Sequence, residues 1–380
     1  MYPGNTPISS SLLRTASLLV MLAAGCGATS TQLPVGASKS PTTTPAATSP
    51  RGPQLGYLWD ATQKNLFPLP GVAGATLYGA PLLPGGSVYV SGAVGGSRDA
   101  GAWALLLDKT GTVDLLTLPS ATTGLGAPAV VATRLPSDAT ITFSPSGTYA
   151  VIFSASANAA LLVSGLPSRP QVADLALPGA LSGVAVSDRG TVLAGWSKGT
   201  SGGVVQVGAL SGTGATAIAS VATWGGAAFV PGLGSGQEQA IVADNGAGLL
   251  LRLTGIGGEA PTFAALATGG NLQTPVGAAV SGDGLWAFAA DSAKQQVVRV
   301  DLSGSTPAIA IACACQPARL LALPGGMLFE VSADQPAKPA WLLDAHTLAP
   351  RTFFVPALPA PAASATAAGT TAVPAAGGAR

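Results

Sequence analysis

The feature that most constrains this chain is a repeated pair of short strands. An alternating apolar run, a tight turn with Gly and a second apolar run appear at Ile141–Phe153 as ITFSPSGTYAVIF. The same pattern returns at Val184–Ala194 as VAVSDRGTVLA and at Ala278–Phe288 as AAVSGDGLWAF. Weaker copies lie at Leu82–Val90 and Leu320–Phe329, and a longer, irregular one spans Ala227–Ala243. A second kind of hairpin accompanies these six. Its turn is marked by Asp60, Asp108, Asp301 and Asp344, or by Gly and Ser near Gly165, Ser211 and Gly255. Asp suits such turns because its carboxylate accepts a backbone amide two residues on. These seven turns are spaced by roughly 43 to 57 residues, the repeat length of a four-stranded propeller blade. No segment carries a helical period, so the pattern predicts an all-β chain folded as a β-propeller.

Seven blades, the first incomplete, fit the count; six blades with an appended hairpin is the alternative. Gly56–Pro70 reads as the outer pair of strands of a first blade whose inner pair has no evident donor. A spare stretch, Ala121–Asp138, contains Ala129-Val-Val-Ala132 and can supply one strand. The innermost strands open on Gly183, Gly226, Gly277 and Ala278. Strands converge on the propeller axis, where bulky side chains would collide. The 51 Gly and 31 Pro residues suit a fold with many tight turns.

The SPSGTYAV and SGDGLWAFA hairpins resemble the WD40-like and YVTN-type repeats of bacterial extracytoplasmic propellers. The likeness spans about Gly56 to Leu358. It implies the fold and says little of function, because this architecture hosts binders, scaffolds and enzymes alike. The WD dipeptide with a partner His is absent, so a eukaryotic-type WD40 domain is not implied.

Residues 1–25 read as a signal peptide. The apolar run Leu18–Ala24 follows Arg14 and is too short to span a bilayer. It ends in Ala23-Ala24-Gly25-Cys26, which resembles the bacterial lipobox, with Leu22 one place earlier than the pattern prefers. That resemblance implies lipidation of Cys26 and anchoring to a lipid bilayer; an ordinary cleaved signal beside an incidental Cys is the alternative. Residues 26–54 hold the Cys and a Ser/Thr/Pro-rich tether with too little apolar surface to fold. Residues 55–358 form the expected propeller, and 359–380 an Ala/Pro-rich tail of the same unfolded character.

Charged residues make up 9% of the chain and the formal net charge is +1, which offers no basic footprint for nucleic acid. A mean hydropathy of +0.47 invites a membrane reading. The longest uncharged stretch, between Lys198 and Glu238, is laced with Gly, Ser and Thr, unlike a spanning helix. A barrel would want aromatic girdles, and aromatics are only 5%.

The catalytic inventory is thin. Cys313-Ala-Cys315 can form a local disulfide, remain as two thiols, or serve a metal or redox site. Zinc wants about four ligands, and the chain has one His, His346; no metal or cofactor is expected. Gly199-Thr-Ser201-Gly-Gly203 matches the G-x-S-x-G string but lies in a Gly-rich loop between strands, not at a strand-to-helix elbow. Gly232–Gly236 is likewise a loop without a phosphate-cradling strand and helix around it. Most acids sit in turns, including Asp188 and Asp283.

One distribution points to function. Loops leading into the inner strand and loops joining strands two and three share one face of a propeller. They hold Arg98, Asp99, Asp138, Lys198, Trp224, Asp244, Asp291, Lys294, Arg319, Asp334 and Lys338. Within that face Trp224, Asp244, Asp291 and Arg319 are the candidate ligand contacts, against the plain alternative that solvated loops carry the charges. Three functions remain open. The first is an envelope-anchored binding or scaffold module for a protein or small molecule. The second is a lyase- or lactonase-like propeller enzyme. The third is an accessory lipoprotein of outer-membrane assembly.

Overall fold

A computed structural model describes residues 53–357, apart from short stretches at 85–87, 98–100, 121–122, 178, 199–200, 208–215, 233–236, 259–260, 268–269 and 333–338. The segment expected as a signal peptide, Cys26, the expected tether up to residue 52 and the tail from 358 lie outside the described residues.

The described chain is all strand and turn, in seven antiparallel sheets taken in sequence order. Blade one holds β1 (Gln54–Asp60), β2 (Asn65–Val72) and β3 (Ala75–Thr76). Blade two holds β4 (Tyr89–Ser97), β5 (Gly101–Asp108), β6 (Val113–Thr117) and β7 (Ala129–Ala132). Blade three holds β8 (Thr140–Phe143), β9 (Ala150–Ser154), β10 (Ala159–Ser164) and β11 (Gln171–Leu175). Blade four holds β12 (Gly183–Val186), β13 (Val192–Lys198), β14 (Ser201–Val207) and β15 (Thr216–Val221). Blade five holds β16 (Trp224–Phe229), β17 (Glu238–Asp244), β18 (Leu249–Ile256) and β19 (Thr262–Ala267). Blade six holds β20 (Pro275–Val280), β21 (Trp286–Asp291), β22 (Gln296–Asp301) and β23 (Ile309–Ala312). Blade seven holds β24 (Leu321–Ala322), β25 (Leu328–Glu330), β26 (Ala340–Asp344) and β27 (Arg351–Val355).

The core follows from period-two alternation on strands buried on both faces. In β9, Ala150 and Ile152 face blade two while Val151 and Phe153 face blade four. In β21, Ala287 and Ala289 face blade five while Phe288 and Ala290 face blade seven. These second strands therefore read as apolar runs, Ala150–Phe153 and Trp286–Ala290. The buried side chains form seven clusters, one in each seam between neighbouring blades. The seam of Leu58 and Leu69 with Leu328, Leu342 and Phe353 joins the first blade to the last and closes the ring. Each fully buried Leu, Val or Phe in these seams contributes about 1.5–3 kcal/mol.

Five of the six expected inner hairpins form as read; blade one differs. β1 and β2 are its first and second strands, so the inner pair is present, and among the described residues it is the outermost strand that is missing. Leu82 does not pair with Val90. It donates to Leu66 O at 2.9 Å along β2, while Tyr89 opens the inner strand of blade two. Ala129–Ala132 becomes the outermost strand of blade two. The reason is that an Asp-marked turn caps any antiparallel pair. Asp60 ends a first strand, Asp108 a second, and Asp301 and Asp344 third strands.

Small residues at the inner strands meet the expected crowding. A Cβ on Gly225 would lie 2.2 Å from Pro275 O, and one on Gly277 would lie 2.7 Å from Leu320 N.

Candidate functional site

Because strands alternate in direction, the segment leading into each inner strand and the end of the second strand share one end of the blade. At that end the sequence places an acid after an apolar strand, as Ala243-Asp244 and Ala290-Asp291. Both acids are buried. Asp244 accepts the amides of Ala222 at 2.8 Å, Thr223 at 3.1 Å and Ala247 at 3.1 Å. Asp291 accepts those of Gln273 at 2.6 Å, Thr274 at 3.1 Å, Ala293 at 3.1 Å and Lys294 at 3.2 Å. Each carboxylate thus clasps the lead-in segment to the turn between strands two and three. A hydrogen bond to a charged group contributes about 1.5–3 kcal/mol, so these acids brace backbone.

Two other blades reach the same end by different chemistry. In blade three Ser154 donates to Asp138 at 2.9 Å. Hydrogen bonds from the hydroxyls of Ser156 and Ser154 hold the Asp138 carboxyl below its ordinary range. In blade seven Arg319, just ahead of β24, pairs with Glu330 at the end of β25 at 2.6 Å. Sequence reasoning saw Asp244 and Asp291 as loop charges and missed the clasp. The available signal was the repeated Ala-Asp closing an otherwise apolar strand.

Trp224 stands opposite Asp244 at the start of β16. Its ring lies over Gly183 and Gly195 of blade four; a Cβ on Gly195 would come within 2.0 Å of it. Trp59 lies over Gly92, and Phe143 over Gly95, in the same manner. Some glycines therefore admit an aromatic ring from a neighbouring blade, a use that the axis-crowding argument did not anticipate. Trp224 keeps part of its surface exposed at the end where Asp244, Asp291 and Arg319 lie, on consecutive blades five, six and seven.

The segment 313–320 that delivers Arg319 also carries Cys313 and Cys315, joined by a disulfide with Cα atoms 5.0 Å apart. A flat strand would hold them near 6.5–7 Å; the chain has left β23 and bends here. Cys313 is packed into the seam between blades six and seven.

Lys294 is exposed on the same face, with Nζ on Gly270 O at 3.0 Å. Lys198 ends β13 there. Arg98, Asp99, Asp334 and Lys338 lie outside the described residues. Length on this face comes from the lead-in segments 133–139, 176–182 and 313–320; the turns 155–158, 245–248 and 292–295 are shorter than 144–149, 187–191 and 281–285 opposite. On the opposite face the turns bond to one another. Ser146 donates its amide and hydroxyl to Asp188 at 2.8 and 2.6 Å, and Gly282 N bonds Gly326 O at 2.7 Å.

Gly199 and Thr200 lie outside the described residues, and Ser201–Gly203 open β14 in a hairpin, where no helix follows. Of the Gly232–Gly236 loop only Gly232 is described, in a turn. His346 is exposed and sits 2.9 Å from Asp344. Among the described residues no three His, Cys, Asp or Glu side chains are grouped as a metal site requires, and no helix is long and apolar enough to cross a membrane.

No protein-family model matches this chain, and no curated protein is significantly similar to it. Solved structures are similar in shape. A functionally unknown protein from Desulfotomaculum acetoxidans DSM 771 is 13% identical, with 80% of this chain and 99% of that one covered at a TM-score of 0.53. Virginiamycin B lyase from Staphylococcus aureus is 13% identical, with 68% and 82% covered at 0.45. A chain of a nidogen/laminin complex is 14% identical, with 67% and 92% covered at 0.43. The first likeness concerns architecture alone, and the other two are too slight to carry an argument. What the sheets, seams and that likeness establish together is the fold: residues 54–355 are a seven-bladed β-propeller.

Proposed function

We propose that this chain is an envelope-anchored lipoprotein, held on a bilayer through lipid at Cys26, whose propeller is a binding or scaffold module. A partner protein or a small molecule contacts the face that carries Trp224, Asp244, Asp291 and Arg319. The observation that supports this most is the clasping of that face. In blades five and six a buried carboxylate holds the backbone of the lead-in segment, and in blades three and seven a side chain of that segment pairs with the end of the second strand. Rigidly held loops on a scaffold are where binding residues usually sit. In this face Asp244 and Asp291 act by holding the backbone in shape, while Trp224 and Arg319 offer surface of the types most often found as binding hot spots.

Affinity capture of the lipidated protein from its own envelope identifies the partner. Trp224→Ala and Arg319→Ala are then each expected to weaken it by roughly 1–2 kcal/mol. Equal binding by both variants, with folding intact, refutes the assignment of this face. For the anchor, labelling cells with a fatty-acid probe should mark the protein, and Cys26→Ala should abolish the mark; an unchanged mark on the variant rules lipidation at Cys26 out.

A further inference from the structure

Six of the sheets have four strands, and among the described residues the first has three. Beyond β3 the chain keeps running along β2, with Gly79 N on Pro68 O at 2.8 Å and Leu82 N on Leu66 O at 2.9 Å. Residues 75–83 therefore form the outer edge of blade one at a place where every other blade adds another strand. Beside that edge lies a groove of about 390 Å³, lined by Gly74, Ala75, Thr76 and Leu77 and, from blade seven, by Phe353, Phe354 and Pro356. Of the large apolar side chains lining it, Leu77 is left open at 61% exposure. The chain passes beyond the described residues at Leu358, two residues after Pro356.

We propose that the C-terminal segment of this same chain fills the vacant place, with Thr370-Thr371-Ala372-Val373 as the fourth strand of blade one. Composition singles that run out. Thr and Val favour strands, whereas the rest of the segment is mostly Ala, Pro, Gly and Ser. Gly369 and Pro374 bound it, and Pro next to an edge strand ends the pairing. The reach is sufficient. A fourth strand must run antiparallel to 75–83, so the chain has to return along the blade before pairing. Residues 358–369 extend to ~40 Å at full stretch, against ~17 Å for a five-residue strand. Leu358–Ala379 carries no charge, so docking against Leu77 and the Phe353–Pro356 wall desolvates no ionised side chain. The added strand would tie the last blade to the first along the outer side of the seam that Leu58, Leu69 and Phe353 close.

Amide hydrogen exchange tests this on three forms: the full chain, a chain ending at Ala357, and the full chain with Thr371→Pro and Ala372→Pro. Adjacent strand amides point to opposite sides, so the paired substitution removes a ladder donor in either register. Amides in residues 75–83 are expected to exchange at least about tenfold faster in both altered forms. Residues 286–291 of blade six, exchanging as before, would report that the propeller is otherwise intact. Equal rates at 75–83 in all three forms overturn the proposal. A fourth form, lacking residues 27–52, separates the other terminus: protection that survives loss of the tail but vanishes in this form overturns the proposal in favour of the N-terminal segment. Protection that rises with protein concentration overturns it in favour of a second copy of the chain.

Discussion

Asp291 is the sharpest place to test how the binding face is built. Its side chain is fully buried and its two oxygens accept four backbone amides, from Gln273, Thr274, Ala293 and Lys294. Asp291→Ala removes every acceptor at once. Hydrogen bonds to a charged group contribute about 1.5–3 kcal/mol each, but water can reach some of the amides freed at this end of the blade. The substitution should therefore cost about 3–5 kcal/mol rather than the sum of four bonds. Unfolding entropy near 2.1 cal/mol/K per residue gives, for roughly 300 ordered residues, a fall in Tm of about 1.6 °C per kcal/mol, hence ~5–8 °C. Asp291→Asn keeps an oxygen for the Thr274, Ala293 and Lys294 amides, which share Oδ1, and sets its NH2 against the Gln273 amide alone, so it should recover a good part of the loss. Asp283, in an exposed turn of the opposite face with Ser281 and Leu285 as partners, is the comparison; Asp283→Ala should cost about 1 kcal/mol or less. Scanning calorimetry together with urea unfolding measures all three. An Asp291→Ala protein within 1 °C of the unaltered one would refute the clasp.

The aromatic-over-glycine packing predicts that Gly195→Ala costs about 1–3 kcal/mol by pressing a methyl group into the Trp224 ring. The pair Gly195→Ala/Trp224→Ala should cost less than the sum of its single changes in urea unfolding, and strict additivity would contradict the contact. Acid should weaken the fold in a defined window. Hydrogen bonds from Ser156 and Ser154 hold Asp138 low, and those from Ser303 and Thr306 hold Asp301 low; at Asp108 the bonds from Thr110 and Thr112 outweigh burial, which pushes the other way. Depressed folded values mean stability fully present above the unfolded carboxylate value near 3.9 and lost as pH falls below it. Tm should thus be level from about pH 5 upward and fall below about pH 4; a Tm unchanged at pH 3 would contradict this. Mass spectrometry of a non-reduced digest should find Cys313 and Cys315 linked to each other, and alkylation of both in the purified protein without reductant would disprove the link.

Much of the propeller was legible because its signals are local. The Val184 and Ala278 hairpins declare themselves by alternation around Asp-Arg-Gly and Gly-Asp-Gly turns, and no long-range information is needed to pair them. Blade one was misassigned for the opposite reason. The turn after Asp60 looks like the turn after Asp301, and only contacts with Gly92 and Leu323 reveal which position in the blade β1 takes. The candidate face was half legible. That Asp244, Asp291 and Arg319 share an end of their blades follows from strand alternation, and the structure places them so. That Asp291 meets the amides of Gln273 and Thr274, some eighteen residues upstream, follows only once the register of β20 on β21 is known. Trp224 likewise looked like an exposed anchor, because its glycine partners lie on another blade.

The lysines allow the proposed binding face to be tested directly. Lys109 and Lys294 lie in turns between second and third strands, on the face assigned to the partner, whereas Lys64 lies in the turn joining β1 to β2, on the opposite one. Amine-reactive cross-linking of the intact envelope, followed by peptide mapping, should join the partner through Lys294 or Lys109 and leave Lys64 unlinked to it. A partner joined through Lys64, with Lys109 and Lys294 free of it, would contradict the account.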